Sequence, residues 1–346
     1  MTKLRIGILV VWCAGLSTSV HARQKGGQDE TGPYEVVENW FKPIHEGFRL
    51  YVDDVLAETP DRVFVISYGE SPLTTPADPR PGVTEEPEVT PDHLIVILDG
   101  DGNKIGEWTH AVPLMVHPHA AKISRYDPER HLWVVDREGH QIVKFSNDGR
   151  RVALTLGEKG VSGSDDGHFN LPADVAFLPD GSVLVADGYA GTRVAKFDRD
   201  GKFVTSWGSA GDGPGQFSLL HCVAVDAQGR VYVADRDNSR VQVFDSGGRY
   251  LDQWPIRRPN HLLITRDQFL WLSDGTTNRF AKYDLEGRLQ TYWGVYGSFP
   301  GAFHNPHKFS VDSYGNLYVA DYENNRVQKF RPGLRADPRR LIGAPF

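Results

Sequence analysis

The sequence predicts an all-β fold, a propeller of six blades, from three repeated features. The first is a hairpin-like signature in which a short apolar run, an aspartate, a polar turn and a second alternating run follow one another. It occurs as VVDREGHQIVKF (134–145), VADGYAGTRVAKF (185–197), VADRDNSRVQVF (233–244), LSDGTTNRFAKY (272–283) and VADYENNRVQKF (319–330). The second feature is the spacing of the five aspartates, 39 to 51 residues, which is typical of propeller blades rather than of short solenoid repeats.

The third feature is a strand-like run that precedes each hairpin in one common register. These runs are HPHAAKI (117–123), LPADVAF (171–177), LLHCVAV (219–225), RPNHLLI (258–264) and NPHKFSV (305–311). A weaker copy, VDDVLAE (52–58) followed by RVFVISYG (62–69), adds a sixth blade at the start of the series. The innermost strands of a closed propeller face its axis, so we expect the equivalent residues of these runs to form a ring.

Three histidines in this register predict a metal site. His119, His221 and His307 belong to the second, fourth and sixth blades, and alternate blades of a six-fold ring lie about 120° apart, so their imidazoles should converge on the axis. Such a tripod leaves a coordination position open, which is typical of catalytic zinc, although the sequence does not identify the metal. A single histidine in such a strand is more often a hydrogen-bonded core residue. His117 and His304 flank the tripod and could orient its ligands, but we expect them in solvated loops.

The segment FNLPADVAF…VADRDNSRVQVF (169–244) resembles NHL repeats, and among NHL proteins the peptidyl-α-hydroxyglycine α-amidating lyases. The resemblance extends over roughly residues 50 to 332. It implies a six-bladed propeller with a three-histidine zinc site that cleaves the C–N bond of an α-hydroxy-amide to an amide and an aldehyde. The family's Pro-His motifs match His119 and His307, and its middle ligand matches His221 without the proline.

Two further positions carry over from this family. Its catalytic tyrosine matches Tyr189 in the Asp-Gly-Tyr segment, and an arginine of its Ala-Asp-Arg segment matches Arg236. The tyrosine is taken to remove the proton of the substrate hydroxyl, which a phenol can do only when a nearby cation or metal stabilises its anion. Without the tripod, Tyr189 would be interpreted as a turn aromatic that packs over its blade.

The chain also departs from the family at three positions. Tyr68, in the segment Ile-Ser-Tyr-Gly, and Asn305 replace an arginine and a methionine that contact the substrate in the family. Lys308 replaces an acidic calcium ligand, and its ammonium group should occupy the place of a divalent ion, so we expect no structural calcium there. These changes favour a related lyase or a hydrolase with another substrate.

The N-terminal segment predicts where the protein is located, and the charge of the chain limits which partners it can bind. Residues 1–22 carry Lys3 and Arg5, an apolar core and a small-residue cleavage site, which predicts a signal peptide and a secreted or periplasmic protein. The apolar stretch is too short for a membrane span. Removal of this segment leaves 36 basic and 45 acidic residues, so nucleic acid is not expected as a partner. Cys222 is then the single cysteine, and we expect it to pack off the tripod face rather than bind metal.

The remaining segments predict how the ring is completed. Residues 23–33 are polar and predict a disordered linker, while residues 34–40 predict the strand that closes the ring against the last blade. Residues 69–93 are rich in acidic residues and proline, and they predict an insertion in the first blade that is either a lid over the channel mouth or a surface loop. Residues 333–346 form a C-terminal tail after a propeller of residues 34–332.

The sequence therefore favours a monomeric, zinc-dependent lyase that binds a small molecule or a peptide in its central channel. Asp174, His261 and Lys308 follow the ring position in their runs and could support the ligands from behind. Two alternatives remain open: a non-enzymatic NHL propeller that binds a protein or a glycan, and a metal-dependent lactonase or other hydrolase. The chain lacks a Gly-x-Ser-x-Gly elbow, a Walker motif and a dinucleotide fingerprint.

Overall fold

Six four-stranded antiparallel sheets make up the computed structural model, which describes residues 31–73 and 89–346. The chain enters through β1 (Tyr34–Val37). The first blade then comprises β2 (Phe48–Thr59), β3 (Arg62–Pro72), β4 (Ile95–Leu98) and β5 (Lys104–Glu107). The second comprises β6 (Pro118–Ile123), β7 (Leu132–Asp136), β8 (Gln141–Phe145) and β9 (Val152–Gly157). The third comprises β10 (Pro172–Phe177), β11 (Val183–Asp187), β12 (Arg193–Phe197) and β13 (Phe203–Trp207).

A short parallel pair, β14 (Ser209–Ala210) and β15 (Gln216–Phe217), precedes the second half of the ring. The fourth blade comprises β16 (Leu220–Val225), β17 (Val231–Asp235), β18 (Arg240–Phe244) and β19 (Tyr250–Pro255). The fifth comprises β20 (Pro259–Ile264), β21 (Phe269–Asp274), β22 (Arg279–Asp284) and β23 (Leu289–Trp293). The sixth comprises β24 (Pro306–Val311), β25 (Leu317–Asp321) and β26 (Arg326–Pro332), with β1 as its outermost strand. Short 3₁₀ turns lie at Thr109–Leu114, Tyr322–Asn324 and Pro338–Arg340.

The blades close into a ring, as the repeats predict. The innermost strand of each blade contacts the innermost strands of both neighbours, and β24 of the last blade contacts β2 of the first. Six apolar clusters fill the spaces between adjacent blades, one for each junction of the ring. At the closing junction, Val52 and Val65 of the first blade pack with Tyr318 and Ala320 of the sixth. The pairing of β1 with β26 confirms the predicted closing strand, which covers what would otherwise be an open sheet edge.

The repeated aspartates end the second strand of their blades. Four of the five hold the preceding loop in place, whereas Asp274 caps the turn that follows it. Asp187 accepts a hydrogen bond from the backbone N–H of Asn170, and Asp235 accepts one from that of Ser218. Their carboxylates also accept side-chain bonds from arginines of the next strand, Arg193 and Arg240 in these two blades. The aspartates are therefore structural, in agreement with the view that they cap turns rather than act in catalysis.

Three boundaries differ from the sequence prediction. The linker was expected to reach residue 33, but residues 31–33 form a turn whose Thr31 hydroxyl bonds the carbonyl of Tyr34. The insertion was expected from residue 69, but β3 continues to Pro72 because its long partner β2 offers paired backbone groups that far. The tail folds back onto the propeller, where the N–H of Phe346 bonds the carbonyl of Ile264.

The predicted signal peptide (residues 1–22), the linker up to residue 30 and the centre of the insertion lie outside the described residues. Within the described part of the chain, no helix has the length and apolarity needed to cross a membrane.

Candidate metal centre in the channel

The structure brings the three predicted histidines together. The ring centroids of His119, His221 and His307 lie 4.8 to 5.1 Å from one another, and all three side chains are buried. One nitrogen from each can meet a common point, because the three candidate ligand atoms lie within 4.8 Å of one another. The Nε2 atoms of His221 and His307 are 3.0 Å apart. The equivalent positions of three alternate blades therefore form one cluster.

The other ring nitrogen of each histidine is held by the backbone of the next blade. His119 Nδ1 lies 2.7 Å from the carbonyl oxygen of Ala173, His221 Nδ1 lies 2.6 Å from that of Asn260, and His307 Nδ1 lies 2.7 Å from that of Asp53. A carbonyl only accepts, so each Nδ1 carries the hydrogen and each Nε2 presents a lone pair. These acceptors are the ring residues of the three blades that lack a histidine, so histidines and supporting carbonyls alternate around the axis.

Each ring position lies at a β-bulge in the innermost strand. In the second blade the pairing passes from Pro118 directly to Ala120, so His119 is an extra residue without a ladder partner, and the first, third, fourth and fifth blades skip their ring residue in the same way. In the sixth blade the pairing passes from Pro306 to Phe309, so His307 and Lys308 both lack a ladder partner. A bulge redirects the side chain and frees the local backbone groups from the ladder. The bulges therefore explain why the imidazoles point toward one another. They also explain why the carbonyls of the neighbouring blades are free to accept hydrogen bonds from the Nδ1 atoms.

The electrostatic surroundings keep the three imidazoles neutral. Burial and nearby positive charge, that of Lys308 above all, lower the pKa of His119 well below its ordinary value. Burial together with Arg236 does the same for the pKa of His221, and burial lowers the pKa of His307 to about 4. Three neutral Nε2 atoms with converging lone pairs repel one another unless a cation lies between them. The donor set of three imidazoles with an open position fits a zinc ion.

Tyr189 lies beside these nitrogens. Its hydroxyl oxygen is 3.1 Å from His119 Nε2 and 2.9 Å from His221 Nε2. The guanidinium groups of Arg137 and Arg236 lie 4.8 and 5.4 Å from the centre of its ring. A Cβ at the preceding residue, Gly188, would lie 1.8 Å from the carbonyl oxygen of Leu220, so only glycine lets the turn that carries Tyr189 approach the fourth blade.

Arg236, predicted to bind the substrate, is buried beside the ring of Tyr189. Arg137 is a second arginine in the same position of another blade, since it follows Asp136 as Arg236 follows Asp235. Sequence reasoning missed it, although the alignment of the five hairpins contains the signal: Arg137 and Arg236 share one position, and both lie over the ring of Tyr189. Arg137 also donates to Glu138 at 2.9 Å.

His117 does not lie in a solvated loop, and this expectation was wrong. Its side chain is buried, its Nε2 lies 2.7 Å from Asp53 Oδ2, and Tyr68 stacks on its ring at 4.2 Å. Although burial alone would raise the pKa of the Asp53 carboxyl, the charge of His117 and its hydrogen bond lower that pKa below the ordinary value. Because the carbonyl of Asp53 supports His307, this ion pair fixes one of the supports of the cluster. His304 lies at the rim, where its ring contacts that of Tyr296.

Tyr68 and Asn305 lie near the cluster in different roles. The hydroxyl of Tyr68 is 3.5 Å from that of Tyr322, whose ring lies 5.2 Å from His307. Asn305 accepts a hydrogen bond from Asn260 Nδ2 at 2.8 Å. This bond and a second one to the carbonyl of Pro306 occupy the amide nitrogen of Asn260, whose buried Oδ1 has no partner among the described residues. Asn260 therefore offers an unused acceptor at the level of the histidine ring.

A layer of charged groups lies below the ring. Lys308 is fully buried, and its Nζ reaches the carbonyl oxygen of Ala173 at 3.4 Å and Asp174 Oδ1 at 3.5 Å. Lys122 Nζ lies 2.6 Å from Asp174 Oδ2. Burial opposes ionisation of Asp174, but the two ammonium groups lower the pKa of its carboxyl below the ordinary value. Lys308 thus contacts the carbonyl that supports His119, whereas His261 accepts from the N–H of Phe309.

We expect folding to be insensitive to calcium chelation, because the ammonium groups of Lys308 and Lys122 already balance the Asp174 carboxylate. The midpoint of thermal unfolding should stay the same when a calcium-selective chelator is added. Lys308→Met, in contrast, should lower the midpoint, because it removes one of the two cations that Asp174 contacts. A large drop on chelation that calcium alone restores would show that a calcium site exists.

The thiol of Cys222 should be unreactive in the folded protein. It is fully buried, donates to Asp174 Oδ2 at 2.8 Å and packs in the apolar cluster between the fourth and fifth blades, away from the three histidines as predicted. Burial raises the pKa of this thiol to about 12, so almost no thiolate exists near neutral pH. Alkylation at pH 8 should proceed on the order of a hundredfold faster in denaturant than in the native state. Equal rates in the two states would show that the channel opens to reagents at this depth.

Comparison with known proteins agrees with this architecture. A model of the NHL repeat matches residues 217–244 and 303–330. The peptidylglycine alpha-amidating monooxygenase of Rattus norvegicus is 31% identical over 259 residues, which are 69% of this chain and 26% of that protein. The chain thus spans about a quarter of the length of that relative. NHL repeat-containing protein 3 of Mus musculus is 32% identical over 257 residues, which are 69% of this chain and 72% of that protein.

Peptidyl-alpha-hydroxyglycine alpha-amidating lyase 1 of Drosophila melanogaster is 30% identical over 254 residues, which are 65% of this chain and 46% of that protein. Among solved structures, a gluconolactonase of Xanthomonas campestris has a TM-score of 0.56 and 13% identity, and the match covers 88% of this chain and 92% of that one. At that identity the solved structure supports the fold alone.

Proposed function

This chain belongs to the NHL-repeat family of β-propellers, and from that premise we propose that it is a zinc-dependent carbon–nitrogen lyase. Its substrate is an α-hydroxy-amide, which it splits into an amide and an aldehyde. The likeness to amidating enzymes of rat and fly supports a lyase of this kind. The signal-peptide pattern of residues 1–22 supports action in the periplasm or outside the cell, on a small molecule or peptide that enters the channel of a monomer.

One observation carries the proposal: the phenol oxygen of Tyr189 lies within hydrogen-bond distance of two histidine Nε2 atoms. His119, His221 and His307 are the residues that would hold the zinc. A zinc ion at these nitrogens supplies Lewis acidity, which makes a bound hydroxyl easier to deprotonate. A substrate hydroxyl at the same point lies next to Tyr189, which is the group that can accept its proton.

The remaining residues fit the bond changes of such a cleavage. When Tyr189 accepts the hydroxyl proton, the electrons of the O–H bond form the carbonyl of the aldehyde while the C–N bond breaks. The electron pair of the C–N bond goes to the amide nitrogen, which takes from Tyr189 the proton that left the hydroxyl, so the substrate is split without water. Arg236 and Arg137 place two positive charges beside Tyr189, which suits a carboxylate or another anionic group next to the reacting carbon.

The buried Oδ1 of Asn260 suits a substrate N–H group, because an acceptor without a partner costs free energy until a donor reaches it. Tyr68 and Asn305 replace two substrate contacts of the amidating lyases, so we expect a substrate that differs from the usual peptide. Arg236→Ala should mainly raise KM if that arginine contacts a substrate oxygen.

The proposal is tested by assaying the purified chain on α-hydroxyglycine-terminated peptides and then on smaller carbinolamides, with detection of the amide and the aldehyde. Turnover that depends on bound zinc supports it. Zinc bound at the cluster without turnover of any carbinolamide would contradict it. Turnover of lactones by the same preparation would then favour a metal-dependent hydrolase, and inactivity on both classes a propeller that only binds.

A further inference from the structure

A second group of metal-ligating side chains lies outside the channel, at the base of the first-blade insertion. His45 precedes β2, Glu70 lies near the end of β3, and His93 lies just before β4. One candidate ligand atom from each of these residues lies within 4.8 Å of the others. Two imidazoles and a carboxylate are a donor set that divalent transition metals use.

The carboxylate of Glu70 faces both imidazoles. Its Oε1 lies 2.9 Å from His45 Nδ1, and its Oε2 lies 3.6 Å from His93 Nε2. The second distance is too long for a hydrogen bond, yet both atoms belong to side chains that are largely removed from solvent, with 8% of Glu70 and 16% of His93 exposed. A cation between these two groups would offset the removal of the Glu70 carboxylate from solvent.

Glu107 orients His93 from the other side. Its Oε1 lies 2.6 Å from His93 Nδ1, and because a carboxylate only accepts, the Nδ1 hydrogen points to Glu107. The other ring nitrogen, Nε2, faces the Glu70 carboxylate, and in the neutral imidazole it carries the lone pair that a metal ion could take. A histidine held in this way by a carboxylate is the usual arrangement for a metal ligand, since the carboxylate fixes the ring and makes Nε2 more basic.

The backbone and a stacked ring make the site rigid. The N–H and C=O of Glu70 pair with those of Thr90 at 2.9 Å, which joins the two ends of the insertion beside the ligands. A Cβ at Gly69 would lie 2.4 Å from the carbonyl oxygen of Thr90, so glycine is needed for this close pairing. The ring of His45 stacks on Phe48 at 4.0 Å and is 45% exposed, which leaves the site open to solvent on that side.

We propose that His45, Glu70 and His93 bind a second divalent metal ion, zinc by the chemistry of its donors, with Glu107 as the positioning residue of His93. The ion ties the segment before β2 to both ends of the insertion, so its role is to hold the base of that insertion on the first blade. The site shares no residue with the channel cluster, and the proposal stands whether or not the chain is a lyase.

The test is a zinc titration of the metal-stripped full chain by calorimetry, with elemental analysis of the product. We expect two equivalents of zinc in the wild type and one in His93→Gln. His45→Gln should also lose one equivalent, and because His45 is half-exposed this variant controls for misfolding. Glu107→Gln should keep the second equivalent but bind it about 10- to 100-fold more weakly, as expected for a residue that orients a ligand.

His168→Gln is the matched control, because His168 also lies between two carboxylates, 2.8 Å from Asp165 and 3.7 Å from Glu158. It should keep both equivalents. A wild-type chain that binds a single zinc, lost on His119→Ala, would overturn the proposal. A second equivalent that survives both His45→Gln and His93→Gln would also overturn it.

Discussion

His221→Ala should remove the channel metal and abolish turnover. His221 supplies one of the three nitrogens that we propose as zinc ligands, and its loss leaves only two of them in the cluster. Zinc in structural sites binds with about 10 to 16 kcal/mol, so one ligand contributes about 3 kcal/mol or more, which is on the order of a hundredfold or more in affinity. Elemental analysis should show a loss of one equivalent relative to wild type. His119→Ala and His307→Ala should give the same result.

The matched control is His131→Gln, a buried histidine that bonds Asp127 at 2.7 Å in the second blade, away from the channel. It should keep the metal content of the wild type. Far-UV circular dichroism of all variants would establish that the propeller is intact. Retention of full metal content in any one of the three alanine variants would exclude the tripod as the metal site, since each residue provides one nitrogen of a three-nitrogen set.

Tyr189→Phe should keep the metal and the fold but lower kcat on the order of a hundredfold or more, the usual effect of removing a positioned proton acceptor. The hydroxyl is the single group deleted, and the ring remains between Arg137 and Arg236. The Nε2 atoms of the histidines lose one hydrogen-bond neighbour but should keep their positions, because backbone carbonyls hold the imidazoles through Nδ1. Steady-state kinetics and elemental analysis of the same preparation would measure both effects.

Tyr250→Phe provides the control for this change, since Tyr250 begins the outermost strand of the fourth blade, far from the axis. Its kcat should equal that of the wild type. A Tyr189→Phe enzyme with full activity would remove the proposed mechanism, and one that had lost its metal would assign Tyr189 to the metal site instead of to proton transfer.

The sequence alone contained the fold and the central residues of the site. Runs in which apolar and polar residues alternate, joined by turn residues, specify hairpins, and their recurrence every 39 to 51 residues specifies blades. Both features can be recognised in the sequence because they depend on the order of neighbouring residues in each repeat. His119, His221 and His307 could be grouped because equivalent positions of a closed ring must face one axis. The symmetry of the ring thus predicts that residues as distant in the sequence as His119 and His307 lie close together in space.

The residues that sequence reasoning missed break this symmetry. The Asp53–His117 pair joins neighbouring blades across a separation that no repeat marks, and His117 therefore looked like a loop residue. Arg137 was missed for a different reason, since its position carries arginine in only two of the five aligned hairpins, glycine in two and tyrosine in one, so the repeat itself marks no role for it. His45, Glu70 and His93 belong to the irregular first blade, where the repeat is weakest.

What the sequence by itself determined is the ring of six blades, the level at which the three histidines lie and the tyrosine beside them. What only the tertiary structure decided is how the imidazoles are aimed and held. Each ring residue lies at a β-bulge, and the carbonyls of Ala173, Asn260 and Asp53 fix the histidines of the preceding blades. A bulge is an irregularity of the backbone, and every residue has a backbone carbonyl. Neither feature can therefore be recognised from the types of side chain in the sequence.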